Sequence, residues 1–247
     1  MIRTLFVAAS MLMVGLAQAA DNETTMKAEV KQALASVDDV KRLPATGLSF
    51  LKAGDKTFLI TDNGHFVIAG NFKLVDMWQG KLLNNVADMS GVDKINLRGI
   101  GLNPDEMGAF TIGRGNQEVD IFVDPQCQYC NELLNQLDKL GETYTFKIVL
   151  IPVLGSESAD IARRLTCDND KERAMKALLS KDYKTIPPLP KAGSAGKSCD
   201  ISSLQKAVVA AKLLDIKGVP FSILPSKNVF KGGSKDFKAV LEKDKDA

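Results

Sequence analysis

One histidine, His65, is the chain's whole supply of imidazole, and four cysteines are its whole supply of thiols. Past the first twenty residues, no apolar run approaches the ~20 residues that a membrane-spanning helix needs. Charge of one sign is also missing. Lys and Arg number 32 against 30 Asp and Glu, a net charge of +2. Removing a leader whose one charged residue is Arg3 takes that from +2 to +1. Nothing in this balance calls for nucleic acid or an anionic membrane surface as partner. No internal repeat is present. The stretch from Gly193 to Ser198 does not make a phosphate-binding loop, because Lys191 stands where that pattern needs glycine and no strand precedes it.

What is present points to export. Arg3 supplies a positive start, Leu5 to Leu16 an apolar stretch, and Ala17-Gln18-Ala19 a small-residue cleavage pattern. A membrane anchor is the competing reading, but the run is short. The leader holds no cysteine for lipid attachment. The expectation is a signal peptide over 1–19 and a mature protein beginning near Ala20 in an oxidising compartment, where disulfides persist. The remaining length suits one large domain or two ordinary ones. Apolar residues make up 45% and charged residues 25%, as in soluble globular proteins.

Apolar residues Met26, Val30, Ala33 and Leu34 share one helical face between Thr25 and Ser36, and Pro44 ends that region. Extended runs follow at Leu48–Phe50, Thr57–Thr61, Phe66–Ala69 and Phe72–Val75. Asp62-Asn63-Gly64 signals a tight hairpin between the second and third. Residues 20–82 thus read as one helix and an antiparallel sheet. So small a unit with free sheet edges invites pairing with a second copy, unless it merely docks on the rest of the chain. Residues 83–115 lack a clear period and carry Gly91, Gly99, Gly101, Pro104, Gly108, Gly113 and Gly115, which reads as a linker. From 116 to 247 the pattern is strand (Val119–Val123), helix (Asn131–Leu140), strand (Phe146–Val153) and two helical stretches (Ser158–Leu179, Ser202–Leu214). A hairpin (Phe221–Leu224, Asn228–Phe230) and a closing helix (Lys235–Lys243) follow. This order predicts a mixed α/β sheet.

Cys127-Gln128-Tyr129-Cys130 lies where the first of these strands ends and a helix begins. At that junction backbone N–H groups and the positive end of the helix dipole favour a thiolate, the attacking species in disulfide exchange. Cys130 lies one turn further on, on the same side, and can resolve a mixed disulfide. Two other readings stay open: an inert structural disulfide, and a zinc site. Zinc usually takes two close ligand pairs, whereas Cys167 and Cys199 stand apart and His65 lies far upstream. Pairing Cys167 with Cys199 would leave Cys127 and Cys130 as the active couple and staple the Pro/Gly-rich loop between Ile186 and Gly196; a second redox centre is the alternative. Val219-Pro220, after Gly218, opens a strand where proline has no ladder N–H to lose. The bond is either cis or an ordinary trans turn.

Together these residues resemble a known family. Phe58-Leu-Ile-Thr-Asp-Asn-Gly64 with Val67-Ile-Ala-Gly70, Phe122-Val-Asp-Pro-Gln-Cys127-Gln-Tyr-Cys130, the pair Cys167 and Cys199, and Gly218-Val-Pro220 are similar to the bacterial periplasmic disulfide isomerases DsbC and DsbG. The resemblance implies an α+β and α/β architecture. An N-terminal cystatin-like dimerisation domain (20–82) and a linker (83–115) would lead to a C-terminal thioredoxin-like domain with a helical insertion (116–247). Two copies would form a V-shaped homodimer. Cys127 would attack and Cys130 resolve. Gln128, Tyr129, Val219 and Pro220 would contact substrate, with Pro220 cis against the dithiol, and Cys167–Cys199 would be a structural disulfide. No metal or other cofactor is implied. Partners would be misfolded exported proteins and a membrane thiol reductase of the DsbD kind, in the periplasm. Two positions depart from the family pattern: Gln128 within the dithiol motif, and Val219 where threonine commonly precedes the proline. The expected activity is thiol–disulfide isomerisation; net oxidation, net reduction and chaperone binding of unfolded chains are its rivals.

Overall fold

Strand alternation in the N-terminal half sends successive side chains to opposite faces of one sheet. The computed structural model describes residues 25, 27–32, 34–43, 47–189 and 199–246. The leader, Pro44, and most of the loop leading to Cys199, including the Gly193–Ser198 stretch, lie outside them. The chain divides into two compact units at Val92/Asp93.

In the first unit the helical positions within 25–35 precede a four-stranded antiparallel sheet: β1 (Asp39–Arg42), β2 (Leu48–Ala53), β3 (Lys56–Thr61) and β4 (Val67–Ile68). Phe50 and Leu59 face a core with Leu83, Met89 and Val92. Leu51 and Phe58 face the other way, packing with Val30 of the helix. A two-stranded ribbon, β5 (Leu74–Asp76) with β6 (Lys81–Leu83), follows. The Asn63-Gly64 signal marks a turn, though a looser one than the two-residue hairpin it suggests. Thr61 pairs across to Phe66, and only Gly64 takes a positive φ, +69°. Strand β1 has no apolar alternation, being exposed throughout, and sequence pattern does not predict it.

In the second unit the sheet order is β11-β10-β8-β9-β7. Its members are β7 (Phe110–Gly113), β8 (Gln117–Val123), β9 (Tyr144–Leu150), β10 (Phe221–Ile223) and β11 (Val229–Lys231). β8 and β9 are parallel; β7, β10 and β11 pair antiparallel. The crossover from β8 to β9 is helix α1 (Gln128–Leu137), which puts Cys130, Leu133, Leu134 and Leu137 into a core with Val119, Ile121, Phe146 and Ile148. Helices α2 (Ser156–Cys167), α3 (Lys171–Ser180), α4 (Ser202–Leu213) and α5 (Phe237–Asp244) complete the unit. This is a thioredoxin-like arrangement of mixed α and β structure. The single helical stretch expected over Ser158–Leu179 is two helices, because the Asp170 side chain caps α3 by accepting from the Arg173 N–H.

The linker expected over 83–115 is folded on both sides of the unit boundary. Leu83, Met89 and Val92 belong to the first unit's core. Ile95, Leu97 and Met107 are buried, and β7 forms a sheet edge. Two of its glycines, Gly113 and Gly115, serve close approach rather than flexibility. A Cβ on Gly115 would meet Thr143 backbone at 1.9 Å, and one on Gly113 (φ +83°) would meet the Tyr144 carbonyl at 2.3 Å. Side chains cannot fit where this strand crosses 141–144.

Cys167 and Cys199 form a disulfide with a Cα separation of 5.5 Å, tying the end of α2 to the segment before α4. It closes a loop of 32 residues. In the chain-entropy account such closure stabilises by about 3–4 kcal/mol. Replacing both cysteines by serine should therefore lower urea-unfolding stability by about that amount, and a loss below about 1 kcal/mol would count against a stapling role.

Asp120 is the second unit's misfit. It lies on β8 opposite Lys147, its Oδ1 is buried without a hydrogen-bond partner, and Glu118 is on the same face two residues away. Burial first, and the Glu118 charge second, push its pKa up to about 7; Lys227, Arg98 and Lys147 oppose the shift. An unfolded aspartate titrates near ~3.9. Between roughly pH 4 and pH 7 the folded chain therefore holds the proton more tightly, so stability falls as pH rises through that window. Asp120→Asn should remove this slope and be more stable than the parent at pH 8, by on the order of a few kcal/mol. Parallel urea midpoints for the two proteins between pH 5 and pH 8 would refute it.

Candidate active site

The segment Val119–Val123, apolar but for Asp120, is buried end to end. The chain leaves it through Asp124, Pro125 and Gln126 and enters α1 at Cys127, the N-cap residue, in extended conformation (φ −67°, ψ 123°). The Cys127 Sγ accepts the Cys130 backbone N–H at 3.2 Å, in the role a serine or aspartate oxygen takes at other helix starts. The same sulfur is 3.6 Å from the Val219 carbonyl oxygen. The Val219–Pro220 bond is cis, and Pro220 is buried. The sequence-predicted residues Cys127, Cys130 and Val219–Pro220 thus converge, although 92 positions separate Cys127 from Val219.

Both Cys127 and Cys130 are free thiols. They differ in depth: Cys127 keeps 7% of its surface exposed and Cys130 only 1%. Burial first, and then the hydrogen bond shared with Cys127, push the Cys130 thiol far above its ordinary range; a backbone hydrogen bond to Asp124 opposes the shift, and the Cys127 and Asp124 charges add smaller amounts to it. Gln128 and Tyr129 face outward. Gln128 Nε2 donates to Glu132 Oε1 at 3.0 Å, one turn along, and Tyr129 is 64% exposed. Cys167 and Cys199 take no part in this convergence; they are bonded to each other.

Sequence reasoning missed the groups that hold the junction. Asp124 is 1% exposed. Its Oδ1 accepts from the Gln126 N–H (2.8 Å) and the Ser158 hydroxyl (2.7 Å); its Oδ2 accepts from the N–H groups of Val153 (2.8 Å) and Leu154 (2.9 Å). From the other side the Tyr183 hydroxyl donates to the Pro125 carbonyl, and Lys181 Nζ donates to the Gln126 carbonyl at 3.1 Å. Asn131 Nδ2 reaches the Leu179 carbonyl at 2.7 Å, joining α1 to α3. Arg164 on α2 holds the Tyr183 turn by donating to the Tyr183 and Ile186 carbonyls. Asp124, standing directly between the strand and the dithiol motif, was visible in the sequence. Three of its four donors, some thirty residues downstream, were not.

Among the described residues no group of three or more His, Cys, Asp or Glu side chains is arranged to hold a metal ion. The arrangement has the means for nucleophilic sulfur chemistry: a thiol at a helix N-terminus, a second thiol one turn behind it, and an open edge at Tyr129.

No protein-family model matches the chain. The thiol:disulfide interchange protein DsbC of Escherichia coli strain K12 is 23% identical over 237 residues, spanning 92% of this chain and 90% of that protein. A probable thiol:disulfide interchange protein DsbC of Bordetella avium is 28% identical over 110 residues, 44% of this chain and 35% of that protein. Among solved structures, a disulfide interchange protein from Neisseria gonorrhoeae is 21% identical, covering 58% of this chain and 98% of its own, with a TM-score of 0.46. Helicobacter pylori DsbG is 18% identical, covering 76% and 92%, with a TM-score of 0.33. Along nearly its whole length, then, this chain is similar to the bacterial thiol:disulfide interchange proteins of the DsbC kind.

Proposed function

We propose that the protein is a thiol–disulfide oxidoreductase acting on exported proteins, and that its main reaction is disulfide isomerisation. The observation that carries the chemistry is the unequal pair: Cys127 capping α1 beside the Val219 carbonyl, Cys130 buried behind it. The Cys127 thiolate attacks a substrate disulfide. A bond forms between Cys127 and one substrate sulfur, the substrate S–S bond breaks, and the other sulfur leaves as a thiolate that takes up a proton. A substrate thiolate can then attack the mixed disulfide, which returns Cys127 and leaves a rearranged bond with no net redox change. Alternatively Cys130 attacks, closing Cys127–Cys130 and releasing a reduced substrate; two electrons from a membrane reductase of the DsbD kind would then restore the dithiol.

Similarity to DsbC supports this reading, as does the N-terminal unit. That unit is proposed to be a cystatin-like dimerisation module. Its sheet ends, among the described residues, at strands β1 and β4, with Val40, Phe66 and Ile68 exposed near those edges. A homodimer would shield the dithiols from an oxidising partner. The leader pattern supports a periplasmic location. Tyr129, Val153 and Leu154, all exposed around the dithiol loop, supply apolar surface for the side chains of an unfolded substrate and for chaperone-like binding.

Refolding of a scrambled multi-disulfide protein in glutathione buffer tests the proposal. The parent should accelerate recovery of native disulfides, and Cys127→Ser should reduce the rate to that of buffer. Cys130→Ser should keep part of the activity while accumulating mixed disulfides. No gain by the parent over buffer would sink isomerisation; sedimentation as a monomer, with fast net oxidation of a reduced substrate, would favour the oxidase reading.

A further inference from the structure

Two residues upstream of Val219, the chain lines a hollow that the exchange chemistry does not use. Its volume is about 310 Å³, at the low end of the roughly 300–1,000 Å³ usual for ligand pockets, which is room for one or two side chains rather than a cofactor. One wall is the segment after β9, Ile151 to Val153; the other is the C-terminal end of α4 and the turn that follows it.

The sequence builds the second wall in two steps. Val208, Ala211 and Lys212 recur at intervals of three and four, so α4 presents them on one face. The helix then ends in a reversing turn. The Asp215 N–H donates to the Lys212 carbonyl at 3.1 Å and the Ile216 N–H to the Ala211 carbonyl at 2.9 Å, with Asp215 at φ +52°. Aspartate is one of the few residues besides glycine that visit such a φ. These two bonds fold Ile216 back onto the last helical turn, so the apolar surface of Val208 and Ala211 continues into Ile216.

Both walls are tied to the dithiol loop. The Ile151 N–H donates to the Val123 carbonyl at 2.9 Å, and the Val153 N–H to Asp124 Oδ2 at 2.8 Å. Lys217, on the other wall, is two residues from Val219, a span of at most about 7 Å. The Val219 carbonyl in turn is 3.6 Å from the Cys127 sulfur. An extended chain advances about 3.3 Å per residue. A side chain two or three positions from a cysteine bonded to Cys127 is therefore within reach of the hollow.

The apolar floor is rimmed by charge. Lys217 pairs with Asp215, whereas Lys212 is exposed and makes no ion pair among the described residues. Two lysines against one aspartate leave the rim one positive charge in excess. The floor suits a branched apolar side chain, and the rim suits a carboxylate beside it in sequence.

We propose that this hollow is a specificity subsite for the substrate chain: it takes an apolar side chain two or three residues from the cysteine under attack, with a flanking Asp or Glu held at Lys212 and Lys217. The proposal rests on the dithiol reading above and deepens it by naming which cysteines of an unfolded protein are favoured. Such contacts raise the rate of attack at low substrate concentration without changing the sulfur chemistry.

Short peptides carrying one cysteine joined by a disulfide to a coloured nitrobenzoate thiol test it. The Cys127 thiolate attacks the peptide sulfur. A Cys127–peptide disulfide forms, the old S–S bond breaks, and the coloured thiolate, the better leaving group, departs with the electron pair. The peptides carry Leu-Glu, Ser-Glu or Leu-Lys at the second and third positions from the cysteine, on either side. Each rate is taken relative to release by glutathione, which cancels the peptide's own reactivity. At pH 7 Leu-Glu should react about tenfold faster than Ser-Glu. It should react roughly two- to fivefold faster than Leu-Lys, a ratio that shrinks toward one at about 0.5 M salt. Ala211→Met, which fills the hollow, should bring the first ratio to about one. Should that variant not fold, Val153→Ser, at an exposed position, should lower the first ratio to about threefold or less. Lys212→Glu with Lys217→Glu should invert the second ratio, so that Leu-Lys is favoured. Equal rates for the three peptides on the parent, or ratios that survive these variants, would overturn the proposal; the latter would assign the preference to the apolar surface at Tyr129 and Leu154 instead. No release from any peptide would refute the dithiol reading itself.

Discussion

A carboxylate buried at the end of β8 must be satisfied, and satisfying it organises the site. Leaving an anion unpaired away from water costs several kcal/mol. Asp124 therefore recruits the Gln126 N–H ahead of α1, the Val153 and Leu154 N–H groups after β9, and the Ser158 hydroxyl on α2. These segments meet at one point because the carboxylate offers acceptor sites on both oxygens. The helix start that carries Cys127 is fixed there, and so is the exposed apolar pair Val153–Leu154 that borders it. The Tyr183 and Lys181 bonds to the Pro125 and Gln126 carbonyls press on the same loop from the helical insertion. A short segment between a rigid strand and a rigid helix is thereby held from two sides.

The parts legible in the sequence are those that depend on near neighbours. The dithiol at a strand–helix junction follows from an apolar run, a proline and a helical period, all within twenty residues. The alternation of Phe50, Leu51, Phe58 and Leu59 marks a two-faced sheet. Pairing of Cys167 with Cys199 follows once the close pair is set aside, since four cysteines leave few combinations. What escaped has partners far along the chain. Asp124 and its donors are such a case, and so is β7, whose only register is against β9. The glycines at 113 and 115 read as flexibility because glycine is as suited to a crowded crossing as to a loose linker, and only the neighbour at 143–144 distinguishes them. Strand β1 escaped for the opposite reason. Its residues are all exposed, so no hydrophobic pattern records it, and backbone pairing to β2 alone defines it.

Two departures from the family pattern, Gln128 and Val219, take their meaning from the backbone. Two contacts to the Cys127 sulfur are main-chain groups: the Cys130 N–H and the Val219 carbonyl. Neither depends on which side chain stands at 128 or 219. Gln128 turns away to bond Glu132 along the helix, and Tyr129 stands in solvent. Valine at 219 keeps the carbonyl, and its side chain packs partly buried against the apolar core. On the proposed reading, then, the reactivity of Cys127 is supplied by peptide groups and the helix terminus. The side chains around it are left to meet the substrate. Division of labour between two identical thiols one turn apart thus needs no difference in residue type, only a difference in depth.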